Sequence, residues 1–435
     1  MWSLIGIVAG LLLFVLLAFK GFNLLFSSLA GSLVVLLLSG QNIMDGMTSP
    51  YAAGLTEFIR KYLFMFFLSA LFGRLLSDTG CAKKIALTLT AMLNKSKHNK
   101  KFFCALLVPI LYFLLTYLGI SGFVVVFTVL PIAKDLFLET DTPWRLYCCA
   151  GAQTINSAFL AGSLQAGNIY AMDVCHTQTT AGFIMSLIAV VVFWIVSLVM
   201  IKVAVNHAER AGEGFLETGT GIKQAEMDDG LSTEQLPHLI VSLIPLLTVL
   251  VMSAVFRTDV VIALTAGCLL TILAGFKNIR SQLKASISAG ITAAYGPIIC
   301  VSATYAIGVV VKAMEGFSYF ESVLGKLPRL LSGTCLGLVA SFVMASVAAP
   351  IPTFGTQMLE HYVQAGLTNE LAHRMMLITS FPSIAPHNAG ISNAATVLKL
   401  PYAQCVKTYM LFTYIPGFCS LLACFAYINL TNYWL

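Results

Sequence analysis

The residues best suited to chemistry lie in one run, Phe381-Pro-Ser-Ile-Ala-Pro-His-Asn-Ala-Gly-Ile-Ser-Asn-Ala-Ala-Thr396, set in an otherwise apolar part of the 435-residue chain. Pro382 and Pro386 remove helix hydrogen bonds, and Gly390 admits unusual backbone angles. Ser383, His387, Asn388, Ser392, Asn393 and Thr396 add donors and acceptors within a would-be membrane helix. Backbone groups left open in lipid are costly, so such a break belongs against protein or a water-filled cavity. A kink packed against a polar neighbour is the plainer alternative. His387 titrates near physiological pH when unperturbed, which makes it a candidate proton carrier, a substrate donor or a helix brace.

A second polar run, Gln153-Thr-Ile-Asn-Ser-Ala-Phe-Leu-Ala-Gly-Ser-Leu-Gln-Ala-Gly167, has no proline. Asn156, Ser157, Ser163 and Gln165 are its polar candidates, with Gly162 as a flexible point. Close helix packing would use the same small residues. Two turns between apolar arms complete the candidate set. The first offers Thr116, Gly119, Ser121 and Gly122, and the second Ser346, Pro350, Pro352, Thr353 and Gly355. Broken helices and hairpin tips that meet near the midplane would aim free N–H groups and positive dipole ends at a bound anion. Neither polar run contains an acidic residue, which favours an anion over a cation. Sodium bound by Asn156, Ser157, Asn393, Thr396 and exposed carbonyls stays open as an alternative.

The elements that must position these groups are membrane helices. Of the chain, 58% is AVILMFWYC and only 10% is charged, against about 25% charged in soluble domains. Apolar tracts such as Trp2 to Ala18, Ile184 to Ile201 and Leu239 to Phe256 approach the roughly 20 residues that cross the hydrocarbon. The first tract has no basic segment before it and is read as a true span, not a signal peptide. The 11 cysteines are scattered, mostly through apolar stretches, and match no zinc or redox spacing. His98, His207 and His361 fall in polar loops, and no nucleophile–base pair, phosphate loop or basic–aromatic nucleic-acid patch occurs. The reading is therefore not an enzyme, with no cofactor and no nucleic-acid partner.

The chain reads as two halves. Phe19-Lys20 followed by Ala30-Gly31 returns as Phe256-Arg257 followed by Ala266-Gly267. A hydrophobic arm, a small-residue turn and a proline-bearing arm then recur, and after them a polar run entered from Arg145 or Arg374. The expected units are a first transmembrane repeat over 1–205, a cytoplasmic polar linker over 206–237 and a second, inverted repeat over 238–435. The fold class expected is an all-α polytopic membrane protein. Each repeat would hold scaffold helices, a re-entrant hairpin and a broken helix, ten spans and two hairpins in all. The linker holds Arg210, Lys223 and His207 against seven acidic residues and is assigned no chemistry. Basic clusters at Arg74 to Lys101 and Lys277 to Lys284 are placed inside by the positive-inside rule, leaving both termini outside. Arg60 and Lys61, near the outer end of the third helix, run against that rule. Arg145 and Arg374 are expected to snorkel to the interfaces. Asp135, Asp173 and Glu315 sit near segment ends, in solvated roles.

Three stretches resemble the gluconate permease family of organic anion transporters, within the ion transporters built from inverted hairpin repeats. These are Ala70 to Ala86, Gly122 to Lys134 with its Leu-Pro-Ile-Ala-Lys ending, and Ala385-Pro-His-Asn-Ala-Gly390, similar to the Leu-Pro-His-Ser/Asn-Gly signature. The resemblance implies proton-coupled uptake of a small carboxylate or hydroxy acid in the bacterial cytoplasmic (inner) membrane, with His387 the residue carried over. The first break departs from the gluconate-type Pro-Pro-His-Pro-Gly run, having Leu160-Ala-Gly-Ser-Leu-Gln-Ala-Gly-Asn168. The segment Gln178-Thr-Thr-Ala-Gly182 is closer to members with a Thr-Thr pair. A smaller, less hydroxylated acid than gluconate is expected. Sodium coupling, anion exchange and a channel are the alternatives. A homodimer through helices 1–3 and their repeats is expected, with the bilayer as the other partner.

Overall fold

The computed structural model describes residues 2–94, 99–117, 120, 122–222, 235–254, 256, 258–316 and 327–431. Every described residue lies in a helix or a connection, with no strand among them. Helices α1 (Trp2–Phe19) and α2 (Leu24–Leu38) lead to α3 (Ala52–Asp78), entered through a wide π-type turn at Met47–Tyr51 around Pro50. Helix α4 (Cys81–Asn94) precedes a hairpin of α5 (Lys100–Tyr117) and α6 (Gly122–Glu139). A 3-10 segment, Trp144–Ala152, runs into α7 (Gln153–Phe159); the chain then breaks and restarts as α8 (Ala166–Cys175) before α9 (Phe183–Arg210).

The succession recurs in the second half. Helices α10 (Leu239–Ala254) and α11 (Val260–Ala274) are followed by α12 (Leu283–Ala293) and α13 (Tyr295–Lys312), two helices where the sequence suggests one span. Pro297, which has no N–H to offer the preceding turn, follows that junction. A hairpin of α14 (Arg329–Met344) and α15 (Pro350–Gln364) comes next. Then α16 (Asn369–Ile378), a 3-10 turn at Phe381–Ser383, a break and α17 (Ala389–Leu398) lead to α18 (Tyr402–Leu430). The likeness extends to detail. Helices α8 and α17 each begin Ala-Gly, run for 10 residues and end on a left-handed residue, His176 (φ 53°) and Lys399 (φ 54°).

The halves interlock through equivalent elements. Helix α2 meets α13, where Ser28 Oγ donates to Ala303 O at 2.5 Å, and α11 meets α3, where Gly267 lies against Phe72. Helices α9 and α18 pack together, with Ser420 Oγ donating to Ala189 O at 2.8 Å. The return arm of each hairpin lies against the restarted helix of the other half: α6 on α17 and α15 on α8.

Exposed and buried surfaces are inverted relative to a water-soluble protein. Ile184, Leu187, Val191, Ile195, Val199 and Val203 stripe the outside of α9, while Ser27, Ser28 and Ser32 of α2 are buried. A continuous apolar face of that extent suits lipid. Among the described residues five helical stretches, α12 and α13 counted as one, are long and apolar enough to cross a membrane, and α2 and α11 are shorter apolar helices. Helix α3 has the length, 27 residues, but carries Glu57, Arg60, Lys61, Arg74 and Asp78.

Three expectations are corrected. The second hairpin turns at residues 345–349, not 348–353, because Pro350 occupies the first turn of α15, where a missing N–H costs nothing. Pro350, Pro352, Thr353 and Gly355 therefore belong to a helix, not to the tip. The polar linker is not wholly a free surface segment: α9 continues to Arg210, and Phe215 is buried against Trp144, their rings 5.5 Å apart. Arg374 does not snorkel, being fully buried, and Arg145 pairs with Glu213 at 2.6 Å.

Helices α1 and α2 approach closely because Gly10 and Gly31 face one another. A Cβ on Gly10 would lie 2.3 Å from Val35 Cγ2 and 2.5 Å from Gly31 O. Gly10→Val is expected to destabilise the protein by about 1–3 kcal/mol through overpacking, read as a lower Tm in detergent. Leu12→Val on the exposed face is expected to leave Tm in place.

Candidate functional site

A cavity of about 480 Å³ lies where the broken segments, the hairpin tips and the scaffold helices α3 and α13 converge. Its walls include Gly122 and Phe123 from the start of α6, Thr154 from α7, Ser346 from the second hairpin turn and Ser383, His387, Asn388, Gly390 and Asn393 from the second break. Glu57 and Tyr62 of α3, and Tyr305 and Lys312 of α13, complete it on the scaffold side; Tyr112 and Tyr409 also line it.

The second break is shaped by its own side chains. Asn388 caps α17, its Oδ1 accepting from the N–H groups of Gly390 at 2.7 Å and Ile391 at 3.2 Å. Its Nδ2 donates to Ala345 O at 2.9 Å and Ser383 O at 2.7 Å, so one amide ties cap, hairpin turn and 3-10 turn together. The ring N–H at His387 Nε2 donates to Val343 O at 3.0 Å, in the last turn of α14, and Phe342 meets the same imidazole edge-on at 5.8 Å. The free N–H groups expected at this helix start are thus largely taken by Asn388. Helix α8 has no side-chain cap, but Gly167 in its first turn is approached by Val347 of the hairpin turn.

Among the described residues, two buried polar atoms of wall residues have no hydrogen-bond partner. Ser383 Oγ and Asn393 Oδ1 are both buried and unbonded, while Asn393 Nδ2 donates to Phe123 O at 3.3 Å and so fixes Oδ1 as the open acceptor. An orphaned buried polar group costs about 1–3 kcal/mol, a cost that a bound molecule relieves. Asn156 Oδ1, behind the wall, is orphaned as well.

Beyond Thr154 and Ile155, which line the cavity, the first polar run braces the site. Ser157 Oγ joins Thr116 Oγ1 at 2.7 Å and accepts from Gln165 Nε2 at 2.6 Å, so α5, α7 and the start of α8 are tied at one hydroxyl. Asn156 Nδ2 donates to Gln153 Oε1 at 2.8 Å. Gly162 has φ 83°, and its N–H donates to Thr179 O at 2.9 Å, while Ser163 O accepts from Asn168 Nδ2 at 2.7 Å. In the second half, Ser392 Oγ meets Oγ1 of the lining residue Thr304 at 3.0 Å and Thr396 Oγ1 donates to Ser392 O at 2.8 Å, with Ser392 and Thr396 behind the lining. Gly355 packs against Val174 of α8. Gly119 and Ser121 lie outside the described residues, as do the side chains of Pro352 and Thr353.

Sequence reasoning missed the scaffold wall. Glu57 and Lys312 carry a usable signal, since ionisable residues in membrane helices are functional candidates by default. Tyr62, Tyr112, Tyr305 and Tyr409 carry none, because aromatic residues are equally at home in apolar packing.

A clamp joins the halves beside the site. Arg374 Nε donates to Ala181 O at 2.5 Å and Nη2 to Thr179 O at 2.6 Å. His373 bridges Thr177 Oγ1 at 2.7 Å and Asn168 Oδ1 at 2.8 Å, and Glu370 accepts from Gly182 N–H at 3.1 Å. One face of α16 thereby holds α8 and the connection that follows it.

No family model matches the chain. Along 95% of its length it is 24% identical to an uncharacterized transporter, YxjC, of Bacillus subtilis (strain 168), covering 95% of that protein. The likeness supports transport. Together with the lipid-facing apolar helices it supports a membrane protein that takes part in transport.

Arg374→Met is expected to cost more than about 3 kcal/mol, because two charged hydrogen bonds go and Ala181 O is left without a partner. Arg145→Met, which removes a half-exposed pair, is expected to cost about 1 kcal/mol or less. Recovery of monodisperse protein on size-exclusion chromatography, followed by thermal unfolding, separates the two.

Proposed function

We propose that the protein is a secondary active carrier of a small organic carboxylate or hydroxy acid, with protons as the coupling ion. The observation that carries the reading is the cavity at the second break, whose wall residues include Ser383 and Asn393 with an orphaned polar atom each and the buried imidazole of His387. Ser383 Oγ–H can donate to a carboxylate, and Asn393 Oδ1 can accept from a substrate hydroxyl. The Ala385-Pro-His-Asn-Ala-Gly390 resemblance to gluconate permeases supports the same substrate class.

The carrier works by alternating exposure of one site. The repeated element order supports two inverted repeats, whose hairpins enter from opposite faces and whose broken helices run in opposite senses. With Arg74 to Lys101 on the cytoplasmic side, Glu57 lies about 26 Å away along α3 at 1.5 Å per residue, near the external surface. The cavity then opens outward. On this reading the protein sits in the bacterial cytoplasmic membrane as a homodimer, with scaffold helices at the contact.

His387 fits the proton role because it lines the cavity and grips the second hairpin with the same imidazole. The orphaned oxygens of Asn156 and Asn393 favour sodium as the second reading, since amide oxygens suit a hard cation.

Uptake by the purified protein in proteoliposomes tests both. The expected result is saturable accumulation of one or more of acetate, lactate, 3-hydroxybutyrate, gluconate and succinate under an inward proton gradient. His387→Gln, which retains a donor for Val343 O, is expected to abolish proton-driven accumulation while keeping exchange of bound substrate. Accumulation driven by sodium alone, or unchanged proton coupling in the variant, overturns the proton assignment. Uptake without saturation overturns the carrier.

A further inference from the structure

Lys61 is an exposed charge beside the cavity wall, in contact with the ring of the wall residue Tyr62. It lies on α3 about 14 Å from Ala52 and about 26 Å from Asp78 at 1.5 Å per residue, inside a helix that crosses the bundle. A charged side chain at such depth belongs to a polar pathway more often than to lipid. At about 100° per residue, Lys61 falls within the arc bounded by Glu57 and Tyr62, both of which line the cavity. Its neighbour Arg60 falls outside that arc.

The surroundings of the ammonium agree with this placement. Nζ stands 5.4 Å from the centre of the Tyr62 ring, and the phenols of Tyr170 on α8 and Tyr305 on α13 are within its electrostatic reach. Helices α3 and α13 run antiparallel here, with Phe58 and Tyr305 rings 5.5 Å apart and Gly54 against Val309. Lys61 is therefore one turn along α3 from Glu57, exposed at the rim beside the wall residues Glu57, Phe58 and Tyr62. Aromatic rings hold the ammonium by cation–π attraction while leaving its N–H donors available.

We infer that Lys61 is the specificity-determining cation at the rim of the cavity, receiving the substrate carboxylate before it passes Tyr62 toward the second break. This rests on the reading that the substrate is an anion. A fixed ammonium there raises the local anion concentration and rejects cations, with phenolic hydroxyls as supplementary donors. It acts on capture and not on the conformational cycle, so its loss shows in half-saturation.

The test uses the full-length protein in proteoliposomes and the best-transported anion of the panel above. Lys61→Gln is expected to raise the half-saturation concentration roughly tenfold with little change in maximal rate, and to flatten its dependence on ionic strength. Lys61→Arg is expected to stay within about twofold of the parent, as a preserved charge should. Lys61→Cys should regain affinity after reaction with 2-aminoethyl methanethiosulfonate, which restores an ammonium, and not after the 2-sulfonatoethyl reagent. The parent protein treated alike is the control for the native cysteines. A Lys61→Gln variant within about twofold of the parent in half-saturation, or equal recovery with both reagents, overturns the inference and leaves the anion reading intact. A parent protein that carries no anion of the panel overturns both.

Discussion

A helix interrupted inside a bilayer exposes backbone groups that lipid cannot satisfy, and the bundle is arranged around meeting that demand twice. At the first break Ala161 N–H donates to Ser186 Oγ, Leu164 N–H to Tyr117 O, and Tyr117 OH to Ala161 O. At the second, Tyr402 OH donates to Pro386 O and Tyr414 OH to Pro382 O. The partners come from the hairpin and the final helix of the same half. Each hairpin is therefore needed where it stands, because its tip or its terminal carbonyls complete the bonding of the break beside it.

The two solutions differ in a way that assigns them different tasks. Seryl, threonyl and glutaminyl side chains close the first break into a nearly self-contained knot around Ser157. The second break spends Asn388 on its own cap and on the hairpin turn, and leaves Ser383 Oγ and Asn393 Oδ1 open. One break is a brace and the other a wall. Between them the clamp of Glu370, His373 and Arg374 fixes α16 to α8, so that the outer part of one broken helix and the restarted part of the other form a single body.

Much of this was legible in the sequence, for physical reasons that also explain what was not. Prolines and glycine among polar residues at 382–390 have no stable continuous-helix solution, and the break falls there. The first break was legible without proline because small and polar residues cluster within an apolar stretch. Pro350 misled, since proline in a turn and proline opening a helix look alike until the preceding residues are placed. Arg374 misled for a similar reason: its carbonyl partners, Thr179 and Ala181, are 193–195 residues away. The tyrosines of the wall were illegible because side-chain type does not distinguish packing from lining.

On the proposed mechanism, the bonding of His387 links its protonation to the docking of the second hairpin. Its Nε2–H satisfies Val343 O at the end of α14, a carbonyl that has no partner within the helix because α14 stops one residue later. An imidazolium that gives up its Nε2 proton to the cavity and keeps the one at Nδ1 releases the carbonyl, and the hairpin loses a bond at its tip. An imidazole that gains a proton at Nδ1 keeps the bond and adds a donor toward a bound carboxylate. On the proposed mechanism, charge, substrate and hairpin docking thus meet in one ring. Substituting a fixed donor there would separate binding from coupling, because only the titrating group can report the proton gradient to the hairpin.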